Sequence, residues 1–215
     1  MIMDNLIQVK NVTKQFKKNI VLNNISVDFE KGKIHGLIGR NGSGKTVLMK
    51  VILGLMKPTE GQIIVEGKVI GKDIEAPEKT GVIIETPGFL NNYSAYMNLK
   101  FLADIKKAVG KKEIREAIEL VGLEPDDKKH VGKYSLGMKQ RLAIAQAIME
   151  KQEILLLDEP MNGLDKNGVG QIRSILKKLK EQGKTIIIAS HNSEDISELC
   201  DTVYEMDMGI IQRLK

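Results

Sequence analysis

Residues 134–160, YSLGMKQRLAIAQAIMEKQEILLLDEP, limit the possible folds of this chain more than any other stretch. A serine stands where it can cap a helix over 135–149. The apolar run 154–157 then predicts a strand that is buried on both faces, as in parallel sheets. Two adjacent carboxylates, Asp158 and Glu159, follow this strand at the edge where open parallel sheets bind ligands. The segment therefore predicts an α/β fold with its chemistry at a strand end.

A glycine-rich loop, GRNGSGKT, lies upstream between an apolar strand and an apolar helix start. It fits the pattern G-x-x-x-x-G-K-[ST], in which backbone N–H groups and a helix N-terminus surround phosphate oxygens. We expect Lys45 to reach the β- and γ-phosphates of ATP and the Thr46 hydroxyl to hold Mg²⁺. The alternative is a turn with a chance lysine, which the flanking strand and helix argue against. The residues predicted to bind ATP are Gly39, Arg40, Asn41, Gly42, Ser43, Gly44, Lys45, Thr46 and Val47.

Strands alternate with helices around these motifs, which predicts a mainly parallel core sheet. The first third of the chain has alternating apolar residues typical of strands, and it predicts an antiparallel β subdomain. Helical patterns concentrate between the glycine loop and the acidic pair. We therefore predict one domain over 1–215, with a nucleotide-binding core and β subdomain at 1–88 and 151–215, and an inserted helical subdomain at 89–150.

Local patterns predict several further elements. A hairpin should turn about Glu66 and Gly67, and a helix capped by Ser94 should run to Lys107. Asp165 or Asn167 can cap a later helix, which Gly183 ends. The remaining predictions are a helix containing Ile114, Ile118 and Val121, a polar loop at 124–133, strands at 80–84 and 185–189, and a closing hairpin over 202–214.

Composition places the chain among globular proteins, with 42% hydrophobic and 28% charged residues. No apolar run reaches the roughly 18 residues of a membrane span, and the first ten residues do not resemble a secretory signal. Cys200 is the one cysteine, which fits a reducing cytosol and indicates a small buried side chain. The net charge of +5 comes from dispersed lysines, so it is weak support for nucleic-acid binding.

The segment that begins at Tyr134 resembles the signature of ATP-binding cassette (ABC) ATPases, whose usual pattern is Leu-Ser-Gly-Gly-Gln. Ser135 and Gly137 are retained, whereas Leu136 and Met138 depart from the pattern. At a helix N-terminus these residues form a second anion site. The resemblance implies that residues 135–138 contact, in trans, the γ-phosphate of ATP held by the opposite subunit.

The same resemblance assigns roles along nearly the whole chain. Phe16 would stack on adenine, although a lone phenylalanine is more often a core residue. Asp158 would hold Mg²⁺ through water, and Glu159 would act as general base on the attacking water. Asp165 would lie in the loop that crosses the dimer interface. His191 would be the switch histidine that contacts the γ-phosphate.

Glu85 departs from the family, which normally has a glutamine that touches Mg²⁺ and water at this position. A carboxylate adds negative charge and, when ionised, only accepts hydrogen bonds. We therefore expect it to bind Mg²⁺ more strongly and to alter hydrolysis. Glu85, the phrase ETPGF and the signature SLGMKQR together resemble the cassettes of bacitracin- and lantibiotic-type export and immunity transporters. An ABC-2-type exporter of another substrate is the alternative.

These features predict the ATPase subunit of an exporter, with two copies holding two ATP molecules and Mg²⁺ between them. The membrane-spanning permease would be another chain, so we expect this one to be cytoplasmic and peripheral on the inner face of the cell membrane. Nucleic acid is not an expected partner. A soluble ABC protein that acts on ribosomes or DNA has only the basic charge in its favour. A small-molecule kinase would share only the phosphate loop.

Overall fold

The computed structural model of the protein describes residues 5–85 and 88–215. The strands are β1 (Asn5–Phe16), β2 (Asn19–Glu30), β3 (Ile34–Ile38), β4 (Glu60–Val65), β5 (Lys68–Val69), β6 (Thr80–Ile83), β7 (Ile154–Asp158), β8 (Thr185–Ala189), β9 (Thr202–Asp207) and β10 (Ile210–Arg213). The helices are α1 (Lys45–Ile52), α2 (Ala95–Lys106), α3 (Lys111–Leu120), α4 (Leu136–Ile148), α5 (Lys166–Glu181) and α6 (Ser193–Leu199), with a 3₁₀ turn at Val131–Lys133.

The chain divides into two compact units, one of Met1–Glu78 with Lys180–Lys215 and one of Lys79–Leu179. Within each unit the backbone packs more densely than it does between the units. The bounds of these units differ from the predicted boundaries at 88 and 151, and the predicted division into a core and a helical subdomain stays a prediction.

The first unit contains an antiparallel sheet in the order β2-β1-β4-β5. The apolar residues of its first two strands alternate with polar ones as predicted. Ile7 pairs with Phe29 and Val9 pairs with Val27, and all four side chains are buried. The same unit holds a second group of strands. In it β3 pairs in parallel with both β8 and β9, and β10 pairs antiparallel with β9. The predicted closing hairpin is therefore confirmed.

The second unit is built on the parallel pair of β6 and β7. Helix α4 packs on β6, where Gly81 leaves room for the backbone of α4. An added Cβ at Gly81 would lie 1.9 Å from the carbonyl oxygen of Ala147. The apolar faces of α2, α3 and α4 supply the core around Leu99, Ile118 and Leu142, which are 0% exposed.

The local predictions mostly hold, with differences at the ends of elements. The Ser94 side chain caps α2 by accepting from the Met97 N–H. Asp165 rather than Asn167 caps α5, since its Oδ1 accepts from the Gly168 N–H at 2.8 Å. The predicted polar loop ends in the 3₁₀ turn, and α6 was not predicted.

Two expectations about environment are also tested. Among residues 5–85 and 88–215, no helix is long and apolar enough to cross a membrane. Cys200 is buried, and this burial raises the pKa of its thiol to about 12, which suits a structural side chain.

Candidate functional site

The phosphate loop connects β3 to α1 in the first unit. Gly39 has a φ of 146° and lies so close to the backbone that an added Cβ would be 2.2 Å from the Met206 carbonyl oxygen. Gly44, with a φ of 109°, is the N-cap of α1. These backbone conformations need glycine. They bend the chain sharply between the strand and the first turn of α1, whose N–H groups then face the loop.

Lys45 and Ser43 give this loop a phosphate-binding character. The Lys45 side chain is 7% exposed, and its Nζ donates to the carbonyl oxygens of Gly39 at 2.7 Å and Arg40 at 3.2 Å. The Ser43 Oγ is buried and, among the described residues, has no hydrogen-bond partner. A buried hydroxyl without a partner costs free energy unless a ligand or water satisfies it. The loop therefore fits a bound phosphate group.

The residues around the loop leave its outer side open. Arg40, Asn41 and Gly42 are exposed, and a Cβ added at Gly42 would meet nothing within 4 Å. Thr46 and Val47, in the first turn of α1, are half-buried. A hydroxyl together with carboxylates and phosphate oxygens is the hard oxygen set that Mg²⁺ prefers. Within the described ranges no three His, Cys, Asp or Glu side chains form a metal cluster by themselves.

Phe16 ends β1 and is 42% exposed, so it is not the core residue that a lone phenylalanine would suggest. The Lys14 ammonium lies 5.1 Å from its ring centroid and donates to the Lys57 carbonyl oxygen at 2.7 Å. An exposed aromatic ring beside a cation offers a flat apolar surface to a planar base. The alternative of a core role is therefore excluded by exposure.

His191 belongs to the first unit and follows β8 in an exposed bend. The Ser190 hydroxyl accepts from the Asn192 N–H at 3.1 Å, and the Asn192 side chain in turn caps α6. The backbone on both sides of the histidine is thus held by hydrogen bonds, while the side chain stays at the surface.

The signature residues begin α4 in the second unit. The Ser135 Oγ accepts from the Met138 N–H at 3.2 Å, which confirms the predicted N-cap. An added Cβ at Gly137 would be 2.8 Å from the Gly163 carbonyl oxygen, so glycine permits close approach of the next loop. Leu136 packs over Gly163, at which an added Cβ would lie 2.6 Å from the leucine Cγ. This departure from the family pattern therefore has a packing partner in the chain.

The two carboxylates lie where β7 ends. Asp158 is the last residue of the strand, and both Asp158 and Glu159 are half-buried. Glu159 has a φ of 50°, in the left-handed region that residues with a Cβ seldom adopt. Gln140 of α4 reaches this turn, where its Nε2 donates to the carbonyl oxygens of Pro160 at 3.0 Å and Glu159 at 3.3 Å.

Gln140 is a residue that the sequence analysis missed. A signal for it existed, because Gln140 shares a helical face with Ala143 and Ala147, both of which are buried. A polar side chain on an apolar face needs a partner. The sequence does not show that this partner is the backbone after the acidic pair.

The remaining predicted residues lie at the surface of the second unit. Asp165 is exposed and engaged in capping α5, and Glu85 is exposed in the bend that follows β6, with a φ of 59°. Thr86 and Pro87 of the phrase ETPGF lie outside the described residues. The structure thus places residues 39–47 in the loop after β3 and the first turn of α1, and it brings residues 136 and 137 against Gly163.

Comparison with known proteins identifies the family. The ABC transporter family matches residues 22–162. The chain is 51% identical over 207 residues to the uncharacterised ABC transporter ATP-binding protein YybJ of Bacillus subtilis, covering 96% of this chain and 95% of that protein. It is 46% identical over 211 residues to the bacitracin transport ATP-binding protein BcrA of Enterococcus faecalis, covering 97% of this chain and 68% of BcrA. It is 39% identical over 199 residues to the lantibiotic transport ATP-binding protein SrtF of Streptococcus pyogenes, covering 92% and 85%.

Solved structures give the same result for the fold. A dimeric structure of MJ0796, a bacterial ABC transporter cassette, superposes with a TM-score of 0.87 at 27% identity, covering 97% of this chain and 99% of that one. A second structure of MJ0796, in a post-hydrolysis state with ADP and phosphate, has a TM-score of 0.86 at 24% identity over 97% and 99% of the two chains, and it supports the fold alone. The expected resemblance to bacitracin- and lantibiotic-type cassettes is confirmed by the relatives found. The chain therefore belongs to the ABC transporter family, as an ATP-binding and ATP-hydrolysing cassette.

Proposed function

We propose that this cassette drives export of a peptide antibiotic of the bacitracin or lantibiotic class. The observation that carries the proposal is the 46% identity to the bacitracin transport protein BcrA, which extends over 97% of this chain. The likeness to SrtF supports the lantibiotic alternative within the same class. An exporter of another substrate is the second candidate, because YybJ is similar at 51% and has no named substrate.

The phosphate loop supplies the ATP-binding part of the proposal. Residues 39–47 would surround the phosphates of ATP. The Ser43 hydroxyl and the Lys45 ammonium are the polar side-chain groups that would face the phosphates. Phe16 would stack on the base, for which its exposure is the support. His191 would contact the γ-phosphate from its exposed bend after β8.

The acidic end of β7 supplies the hydrolytic part. We place Glu159 as general base for water and Asp158 as a ligand of Mg²⁺ through water. Thr46 and Glu85 are the other proposed Mg²⁺ ligands. When bound, Mg²⁺ neutralises charge on the phosphate oxygens during transfer.

The signature residues make a dimer part of the proposal. Ser135 and Gly137 stand at the N-terminus of α4, where unpaired backbone N–H groups and the helix dipole favour an anion. We assign residues 135–138 to the ATP of a second copy and Asp165 to the loop at the dimer interface. The dimeric structure of MJ0796 that is 27% identical to this chain supports this assembly.

A membrane partner completes the proposed transporter. No helix in the described parts of the chain can span a membrane, so the path for a peptide would come from a permease subunit. We propose that the cassette sits on the cytoplasmic face of that permease, with the Glu85 loop and the predicted helical subdomain passing on its motion. The family assignment excludes the small-molecule kinase.

Susceptibility of the native organism tests the substrate class. Deletion of the chain should increase sensitivity to bacitracin or a lantibiotic. The wild-type chain should restore resistance, and a Lys45→Ala variant that cannot bind phosphate properly should not. The permease should co-purify with an affinity-tagged chain from native membranes. Unchanged sensitivity to peptides of both classes, with altered sensitivity to an unrelated compound, would favour the second candidate.

Nucleic-acid binding is tested separately. A soluble ABC protein that acts on ribosomes or DNA would bind nucleic acid with an affinity that falls steeply with salt. We expect no such binding at physiological ionic strength from the dispersed +5 charge.

A further inference from the structure

Gln140 joins α4 to the backbone that follows β7. Its side chain is 9% exposed, and its amide nitrogen donates to the carbonyl oxygens of Pro160 at 3.0 Å and Glu159 at 3.3 Å. An amide nitrogen carries two hydrogens, so both donors can be used here. The carbonyl groups belong to the residue after the strand and its successor, where the ladder of the sheet has ended. Gln140 thus satisfies backbone groups that the sheet does not.

These bonds act on an unusual backbone conformation. Glu159 has a φ of 50°, which residues with a Cβ seldom adopt. The Asn162 N–H also donates to the Glu159 carbonyl oxygen, at 3.1 Å. Such conformations persist where surrounding contacts hold them. The side-chain amide of Gln140 and the backbone N–H of Asn162 are two contacts that hold this one.

The helix that carries Gln140 begins at Ser135, which caps it. An α-helix rises about 1.5 Å per residue, so the Cα atoms of Ser135 and Gln140 are about 7.5 Å apart along the helix axis. Ser135 is assigned to the ATP of the neighbouring copy, and Glu159 to the ATP of its own chain. Helix α4 therefore links the residue assigned to the neighbouring copy's ATP with the proposed base that acts on this chain's own ATP.

We propose that Gln140 is a positioning residue for hydrolysis, which holds the Glu159 backbone so that its carboxylate faces the attacking water. The inference rests on the proposed role of Glu159 as general base. It assigns to Gln140 no contact with ATP. The amide acts through the carbonyl groups of Glu159 and Pro160, and it links the orientation of the base to the position of the signature helix.

Two substitutions remove the donors at nearly constant size. Gln140→Met keeps the length of the side chain without hydrogen-bond donors, and Gln140→Glu places an acceptor against two carbonyl oxygens when ionised. Gln146→Met is the matched control, because Gln146 lies on the same helix and lines a shallow cleft with Leu102, Ile105 and Met149. The full chain is used, and hydrolysis rates are expressed per ATP-bound site, so that any loss of folded protein cancels.

We expect both Gln140 variants to lower kcat about tenfold or more, since small displacements of a reacting group are costly. KM for ATP should stay within about twofold, because Gln140 makes no proposed contact with ATP and its loss does not weaken ATP binding. The control should keep both constants. In a Glu159→Gln background, Gln140→Met should leave the ATP-bound dimer intact, since dimer closure does not need an oriented base.

Several results would overturn the inference. They are a kcat equal to that of Gln146→Met, a rise in KM with unchanged kcat, or loss of the ATP-bound dimer in the Glu159→Gln background. The last two would show that Gln140 serves binding or folding. Hydrolysis that persists in Glu159→Gln alone would instead refute the role of the base, so the two failures are distinguishable.

Discussion

At the scale of single residues, Glu85 is the clearest departure from the family pattern. It follows β6, is exposed, and has a φ of 59°. If its carboxylate binds Mg²⁺, Glu85→Gln should raise the Mg²⁺ concentration needed for half-maximal ATP hydrolysis and change the turnover. A titration of Mg²⁺ at saturating ATP measures both. Glu66→Gln, in the turn between β4 and β5, is the charge-matched control. Identical Mg²⁺ curves and turnover for wild type and Glu85→Gln would refute this role.

His35 predicts how stability changes with pH. It is 0% exposed, with Nε2 2.9 Å from the Glu30 carbonyl oxygen and Nδ1 2.6 Å from the Thr202 Oγ1. A carbonyl only accepts, so Nε2 carries the proton and Nδ1 accepts from the threonine hydroxyl. Burial lowers the pKa of His35 below its ordinary value, although the bond to Glu30 opposes this. The folded protein therefore favours the neutral ring.

The sign of the effect follows from this lowered pKa. The unfolded chain takes up the proton near pH 6.5, before the folded chain does, so the contribution of His35 is complete above that pH and is lost as the pH falls. The free energy of unfolding should decrease below pH 6.5 by up to about 1.4 kcal/mol per pH unit. Urea unfolding at pH 7.5, 6.5 and 5.5 measures it. His35→Gln should flatten this dependence, whereas His130→Gln, at the surface, should not.

At the scale of elements, the serine caps of α2 and α4 distinguish a structural role from a role in dimer formation. Ser94 caps α2 through the Met97 N–H at 3.3 Å, and Ser135 caps α4 through the Met138 N–H at 3.2 Å. Each serine-to-alanine change should lower the free energy of unfolding by about 1 kcal/mol. In a Glu159→Gln background, only Ser135→Ala should weaken the ATP-dependent dimer, measured by light scattering. An equal effect of both variants on the dimer would argue against an anion site at α4.

The packing of α4 on β6 gives a second prediction about elements. A Cβ at Gly81 would lie 1.9 Å from the Ala147 carbonyl oxygen and 2.6 Å from the Leu155 Cδ2. Gly81→Ala should therefore lower the free energy of unfolding by about 1–3 kcal/mol. Gly170→Ala is the control, since a Cβ there meets nothing within 4 Å, and helix propensity should add about 0.5–1 kcal/mol. Thermal unfolding compares the two, and similar melting temperatures would contradict the packing argument.

Elements with a strong local signal could be predicted, and those without one could not. The cap at Ser94, the turn at Glu66 and Gly67, and the strand that ends in Asp158 have sequence patterns that match their structure. Helix α6 was missed because it is only 7 residues long and presents no long apolar period. Its signal is the Asn192 side chain, which accepts from the Glu194 N–H at 2.9 Å.

At the scale of the whole molecule, the proposed mechanism predicts an ATP-dependent assembly. Glu159→Gln should bind ATP and fail to hydrolyse it, so that a dimer accumulates at saturating ATP with Mg²⁺. Gel filtration with light scattering should show a dimer that returns to monomer with ADP. The wild type should remain mostly monomeric, as should Glu66→Gln. A Glu159→Gln protein that stays monomeric at saturating ATP would count against the sandwich.

In the candidate site, the contiguous sequence motifs could be predicted, whereas the tertiary contacts between distant residues could not. The phosphate loop and the acidic pair are contiguous motifs, so their positions on a loop and at a strand end could be inferred. The bond from Gln140 to Pro160 joins residues that are 20 positions apart. The contact of Leu136 with Gly163 likewise depends on how a loop folds back on a helix. Pairings of this kind depend on tertiary packing, which a single sequence does not encode locally.

The left-handed backbone at Glu159 has a consequence for selection. A residue with a Cβ costs of order 1 kcal/mol more than glycine in this conformation. Glu159→Gly should therefore relieve strain even though it removes the proposed base. A library screened for heat resistance alone would enrich glycine or asparagine at this position, and a screen for ATP hydrolysis would retain glutamate if Glu159 is the base that we propose. Under the proposed role of Glu159, the turn after β7 would be a place where thermal stability and ATP hydrolysis place opposite demands on one residue.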